Sequence, residues 1–411
     1  MKKILETFLG ILTAMGGFVE IGEVTFTVNA GSKFDYRLLW VMVLGTIGIM
    51  VFCEMAGRIA AVRKLPVFQI VRERTGFSLS LLTLVSASAV CLLTCAAEIG
   101  AIAMIWQLLS GWPYRVLILL ALAFLLLSVW FLSFRWIERV FGLGGLLLVV
   151  YIVTALKLAP DWGTVAAGLV PTLPDRASGQ LTVYAFFAVA LLSSIMLPYE
   201  TYFYASGGIE DKWKPSDITL NRLIVLIGFT LGALLAVSLL VVGSEFFGAR
   251  EIEIARPGSA ALAPAWQFGQ HGLLIALLGM FFAFAGAAIE TALSAAYNLA
   301  QFFGWPWGKH RAPAQAPRFA LCWIVVFVLA ALVVSTGVDP VEVVEYSIVF
   351  SIVILPLTYL PLMLVAGDKR VMGQHVNGPL AATLGWGYFV IITLAAIAAI
   401  PLMILTHGGE G

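Results

Sequence analysis

Eleven apolar runs divide the chain, centred near residues 17, 50, 94, 123, 149, 194, 230, 288, 326, 354 and 393. A helix needs about 20 predominantly apolar residues to cross the hydrocarbon core of a bilayer, so the pattern predicts eleven transmembrane helices. Strands of a membrane barrel would instead alternate polar and apolar residues over segments of about ten, and no such alternation occurs. The connecting loops leave no room for a soluble domain. The expected fold class is an all-α membrane protein, one polytopic domain over residues 1–411.

The polar interruptions of these runs carry the functional signal. Glu20, Glu23, Glu98, Glu200 and Glu290 lie deep inside apolar runs that hold no lysine or arginine to neutralise them. A charged carboxylate at a helix centre costs roughly 2.5 to 3.5 kcal/mol on insertion scales, so a proton or a metal ion must relieve the charge. Two of the acidic runs also contain helix breakers. Glu20-Ile21-Gly22-Glu23 sets a glycine between two acids, where it would let the backbone unwind and turn carbonyls towards a ligand. Met196-Leu197-Pro198-Tyr199-Glu200 sets a proline beside an acid and removes one helical donor bond.

Breaks in the first and sixth spans mark a binding site in transporters built from inverted repeats. The five-helix separation predicts repeats over about 5–158 and 181–366, followed by an added helix over about 381–405.

Composition supports the membrane assignment: 61% of residues are hydrophobic, 11% are charged, and mean hydropathy is +1.00. With the N-terminus inside, 17 of the 24 basic residues fall on cytoplasmic segments and 7 outside. That bias predicts a cytoplasmic N-terminus and an extracytoplasmic C-terminus in a prokaryotic plasma membrane. Lys2 and Lys3 precede an apolar stretch without a small-residue cleavage site, which predicts an uncleaved first span.

The four cysteines fall within apolar runs and suggest neither a disulfide framework nor a zinc cluster. A net charge of +1 gives no reason to expect a nucleic-acid partner. The four histidines lie near span ends or in loops, which leaves carboxylates as the only proton carriers at the membrane centre. Glu54 stands four residues before Arg58 and predicts a local ion pair. No His-Glu-x-x-His, intramembrane aspartate pair or Gly-x-Ser-x-Gly turn is present, so no enzyme is expected.

The segment from Asn29-Ala30-Gly31 through Tyr36-Arg37-Leu38-Leu39-Trp40 resembles the sequence after the first broken helix of Nramp metal transporters. Pro160-Asp161-Trp162-Gly163 with Gly168-Leu169-Val170-Pro171 is similar to that family's loop before the sixth span. Asp368-Lys369-Arg370-Val371-Met372-Gly373 with Val376-Asn377 is similar to its loop after the tenth. The resemblance covers almost the whole chain and implies a LeuT-type fold of the APC superfamily and proton- or metal-linked transport.

The departures from the family pattern bear on specificity. The family's Asp-Pro-Gly-Asn falls on Glu20, Ile21, Gly22 and Glu23. Its Met-Pro-His falls on Leu197, Pro198 and Tyr199, followed by Glu200. An acid, Glu290, stands in the eighth span where the family is usually neutral, and Glu98 lies near the acids the family is thought to use for protons. Thioether ligands select softer metals, whereas carboxylates, carbonyls and water suit magnesium, calcium and manganese.

The expected substrate is therefore a hard divalent cation, Mg2+ or Mn2+ with Ca2+ as a further candidate, held by Glu20, Glu23, Glu200 and Glu290. Gly22, Leu197 and Tyr199 would line the same site, and Glu98 is the candidate proton relay. Protons and membrane lipid are the other expected partners, and no cofactor is expected. Two alternatives stay open: an organic amine held against Tyr199, Tyr202 and Phe203, and a receptor that binds without transporting.

Overall fold

The structure is a computed structural model that describes residues 19–174, 180–252, 254 and 256–409. Lys2, Lys3 and the leading part of the expected first span lie outside the described residues. Among the described residues the fold is entirely helical. Ten helical stretches are long and apolar enough to cross a membrane, and each falls on one of the expected runs. The remaining run is represented by α1, Ile21–Phe34.

Thereafter come α2 (Leu39–Arg63), α3 (Val67–Ser110), α4 (Tyr114–Phe131), α5 (Phe134–Gly145) and α6 (Val149–Lys157). The second half begins with α7 (Leu181–Ile195) and α8 (Pro198–Glu210), followed by α9 (Ile218–Val242) and α10 (Leu262–Phe303). It ends with α11 (Pro317–Ser335), α12 (Pro340–Ala366) and α13 (Pro379–Thr406).

At 44 and 42 residues, α3 and α10 would far exceed a bilayer if straight. Each turns at a glycine with positive φ, Gly76 at +75° and Gly269 at +61°, a conformation that costs a residue with a Cβ much more.

The break in the sixth span falls where its sequence places it. Helix α7 ends at Ile195, Leu197 is extended (φ −64°, ψ 128°), and Pro198 opens α8. Proline disfavours helical geometry in the residue before it, while its own fixed φ and missing N–H suit the first position of a helix. In the first span the chain is extended at Glu20 (φ −114°, ψ 176°) and helical from Ile21 onward.

Helix α1 is held closely on two sides. Gly31 faces the backbone near Ser244 so tightly that a Cβ there would lie 2.9 Å from its amide nitrogen, and Gly243 approaches the Val28 backbone. Small residues allow such contact between membrane helices. The Asn29 amide makes two bonds with Ile254 in the loop before α10, donating to its carbonyl at 3.1 Å and accepting from its amide at 2.9 Å. In the loop before α7, Asp161 caps the short helix Trp162–Ala167. The Thr164 hydroxyl, then the amides of Gly163 and Thr164, hold its carboxyl below the usual carboxylate range. Helix α12 packs against α3, α13 and α7, and its near end reaches α1.

Candidate functional site

The N-termini of α1 and α8 meet in the interior. Each presents backbone amides without an intrahelical partner and a partial positive charge, the environment that favours an anion. Both ends carry an acid: Glu20 is the residue before α1, and Glu200 lies in the first turn of α8. Glu98, reaching in from α3, accepts the Ile21 amide at 2.9 Å and so satisfies the first donor of α1. Tyr199 donates its hydroxyl to Glu20 Oε2 at 2.5 Å, tying the start of α8 to the start of α1. The Ser294 hydroxyl of α10 donates to the Tyr199 carbonyl at 3.3 Å.

Glu23 is bound on both carboxyl oxygens. Thr27 donates to Oε1 at 3.0 Å, and Ser194, one turn before the break, donates to Oε2 at 2.8 Å. Glu200 and Glu290 face each other within side-chain hydrogen-bonding range. Two carboxyls share such a bond only when one of them carries a proton. All five acids are at most 5% exposed. Were all five ionised they would repel one another, Glu20 against Glu23 and Glu290, Glu98 against Glu20, and Glu200 against Glu290 and Glu20.

One oxygen each of Glu98 (Oε2), Glu200 (Oε2) and Glu290 (Oε1) is buried without a hydrogen-bond partner among the described residues. A buried charged oxygen of that kind costs several kcal/mol unless a cation, proton or water answers it.

The structure thus gathers Glu20, Glu23, Glu98, Glu200, Glu290 and Tyr199 into one interior region. Among the described residues, however, no three His, Cys, Asp or Glu side chains are arranged to hold a metal ion together. The hydroxyls of Tyr199, Thr27 and Ser194 account for part of this, because they bind the oxygens of Glu20 and Glu23. Leu197 contributes extended backbone at the break, and its side chain is buried. The sulfur of neighbouring Met196 lies against Gly48 of α2.

Gly22 differs from the sequence expectation, for the chain does not unwind there. It is helical, and the extended residue is Glu20, two positions before it. What Gly22 provides is clearance: a Cβ would lie 2.8 Å from both Glu20 Oε1 and Ile348 Cδ1. Tyr202 and Phe203 are buried, and the Tyr202 hydroxyl is paired with Thr358 at 2.6 Å. Glu54 forms the expected ion pair with Arg58 at 3.1 Å.

Several participants were not identified from the sequence. Ser194 and Thr27 bind Glu23, Ser294 supports Tyr199, and Thr94 shares a 2.5 Å hydrogen bond with Ser347. The available signal was the Ser193-Ser194 pair inside an apolar run one turn before Pro198. Short hydroxyls that bond their own helix backbone are common in membrane helices, which hides the few that reach an acid.

A family model described as natural resistance-associated macrophage protein-like (Nramp) matches residues 10–401. The divalent metal cation transporter MntH of Deinococcus radiodurans is 27% identical over 95% of this chain and 88% of its own length. MntH of Bacillus subtilis is 24% identical over 94% and 92%. Among solved structures, the Eremococcus coleocola manganese transporter aligns over 98% of this chain and 87% of its own, with TM-score 0.76 and 20% identity. Mhp1, a nucleobase-cation-symport-1 family transporter, aligns over 97% and 92% with TM-score 0.63 and 14% identity. The fold is the LeuT type, with the sixth span broken before Pro198 and the chain extended at Glu20 before α1.

Proposed function

This chain belongs to the Nramp family, a family of divalent metal cation transporters, and from that premise we propose that its own substrate is a hard divalent cation, Mg2+ or Mn2+, with Ca2+ a further candidate. The observation that carries this reading is the set of unpartnered carboxyl oxygens on Glu98, Glu200 and Glu290, beside two helix N-termini and without a buried lysine or arginine among them. Hard oxygen donors suit magnesium and manganese, and magnesium takes only one or two carboxylates directly while keeping several waters. A site with no three-acid cluster is compatible with that coordination. The relatives' names, divalent metal and manganese transporters, support Mn2+ as a substrate.

Glu20, Glu23, Glu200 and Glu290 supply the negative charge in this reading. Tyr199 holds Glu20 in place, and Leu197 leaves backbone carbonyls near the break. Alternating access would move the halves about the breaks before α1 and α8. The proton shared by Glu200 and Glu290 would leave when a divalent ion enters, which couples the two ions through carboxylates alone. The N-terminus would lie in the cytoplasm and the C-terminus outside.

Flux into proteoliposomes tests the reading. Mn2+ or Mg2+ should enter, and each should compete with the other, while alkylamines should not compete. Competition by amines without movement of any divalent ion would overturn it in favour of an organic solute.

A further inference from the structure

A cavity of about 610 Å3 opens where α1 and α13 end and α12 begins. At about 30 Å3 per liquid water it has room for on the order of twenty waters, enough for a divalent ion that keeps its hydration shell. Asp339, Glu342 and Glu345 of α12 line it, opposed by Lys33 of α1. Lys33 donates to the Gly409 carbonyl at 3.0 Å, and Asp339 accepts the Val341 amide at 2.8 Å as the cap of α12.

Acidity alone would make this only a solvated rim. The second observation is Thr25, which lines the same cavity, is 2% exposed, and has no hydrogen-bond partner for its hydroxyl among the described residues. Threonines elsewhere in these helices bond back to the carbonyl four residues earlier, as Thr83 does to Leu79, Thr154 to Val150 and Thr393 to Phe389. Thr25 departs from that habit, so its oxygen remains for a ligand in the cavity. Gly408 packs against the Glu345 carboxyl so closely that a Cβ there would lie 2.5 Å from Glu345 Oε2, which fixes that acid at the rim of the cavity.

The cavity lies close to the acids of the interior. Val344 and Ile348, neighbours of the cavity-lining Glu345 on α12, are the side chains that a Cβ on Gly22 would touch. Val344 and Ile348 thus form the buried layer between the cavity and Glu20 and Glu23, which a cation passing inward along α12 would have to displace.

We propose that this cavity is a recruiting site, in which Glu342, Glu345 and the Thr25 hydroxyl hold a hydrated divalent cation before it passes to the interior acids. The inference rests on the transport reading above and adds a second, weaker cation site to it. Concentrated negative charge in a cleft with low-dielectric walls raises local cation concentration and arrival rate, and salt screens the effect.

The test uses Mn2+ alone, with the full chain in lipid nanodiscs for binding by electron paramagnetic resonance and in proteoliposomes for uptake. Two classes of bound Mn2+ are expected. The Glu342→Gln, Glu345→Gln double variant should lose the weaker class, raise uptake KM roughly threefold to tenfold at low ionic strength with maximal rate kept, and flatten its salt dependence.

Thr25→Val, which keeps the shape of the side chain, should act in the same direction and guards against misfolding of the double variant. Wild-type protein that moves Mn2+ through one binding class, with KM and salt dependence unchanged in both variants, overturns the recruiting site and leaves the transport reading standing. Wild-type protein that neither binds nor moves Mn2+ overturns Mn2+ as the transported ion and this inference with it.

Discussion

Tyr199 donates to Glu20 where the N-termini of α1 and α8 meet, at 2.5 Å and out of reach of solvent. The bond joins the first residue before α1 to the second residue of α8, so it links the two elements whose relative movement opens the site. A hydrogen bond to a charged group contributes about 1.5 to 3 kcal/mol. Tyr199→Phe should lower the thermal unfolding midpoint of the metal-free protein. Saturating Mn2+ should reduce the loss, because the ion then satisfies Glu20 in place of the hydroxyl. An equal loss with and without Mn2+ would separate this bond from the cation site.

Gly22 sits at a close steric contact within the site. Gly22→Ala places a methyl group 2.8 Å from both Glu20 Oε1 and Ile348 Cδ1, and overpacking of this kind costs about 1 to 3 kcal/mol. Uptake should fall by about tenfold or more while the purified protein remains monodisperse. Adding Ile348→Ala removes one of the two clashes and should restore part of the rate. Wild-type uptake in Gly22→Ala would show that the clearance has no functional role.

Arg58 anchors the loop after α12 to α2. It reaches both oxygens of Glu54 at 3.1 Å, the His375 carbonyl at 2.5 Å and Asn377 Oδ1 at 2.6 Å, while only 3% exposed. Breaking a buried pair by removing one partner costs about 3 to 5 kcal/mol. Arg58→Met should sharply reduce the yield of folded protein. Arg58→Lys should recover less than half of the loss, since an ammonium cannot match a planar fork with several acceptors. Size-exclusion profiles and unfolding midpoints would check both.

Lys309 lies in the loop between α10 and α11, and its ammonium donates to the Val129 carbonyl. Burial lowers its pKa to about 8, against a smaller opposing effect of Glu210. The unfolded chain then holds more protons than the folded one between pH 8 and the ordinary lysine value of about 10.4. Stability should therefore rise with pH across that window. Lys309→Met should remove this rise, and unfolding midpoints between pH 7.5 and 10.5 would reveal it.

Much of this architecture is legible in the sequence because a bilayer leaves few options. Apolar run length gives the spans, and Pro198 sets the break before α8 through its own geometry. The Glu54–Arg58 pair follows from helical spacing. Gly22 was harder to interpret, because glycine serves equally for unwinding and for clearance, and only its neighbours Glu20 and Ile348 decide between them. The contacts of Glu20 with Tyr199 and of Glu23 with Ser194 join residues more than 170 positions apart. Nothing local in either segment encodes such a pairing, which depends on how α7 and α8 dock against α1.

The central claim is that the acids at the two breaks bind the transported ion, and the most direct measurement is Mn2+ uptake by Glu20→Gln and Glu200→Gln in proteoliposomes. Loss of even an outer partner of a metal ligand typically costs 10-fold to 100-fold, so each folded variant should lose at least about a hundredfold in kcat/KM. Folded variants that transport Mn2+ at the wild-type rate would contradict the claim.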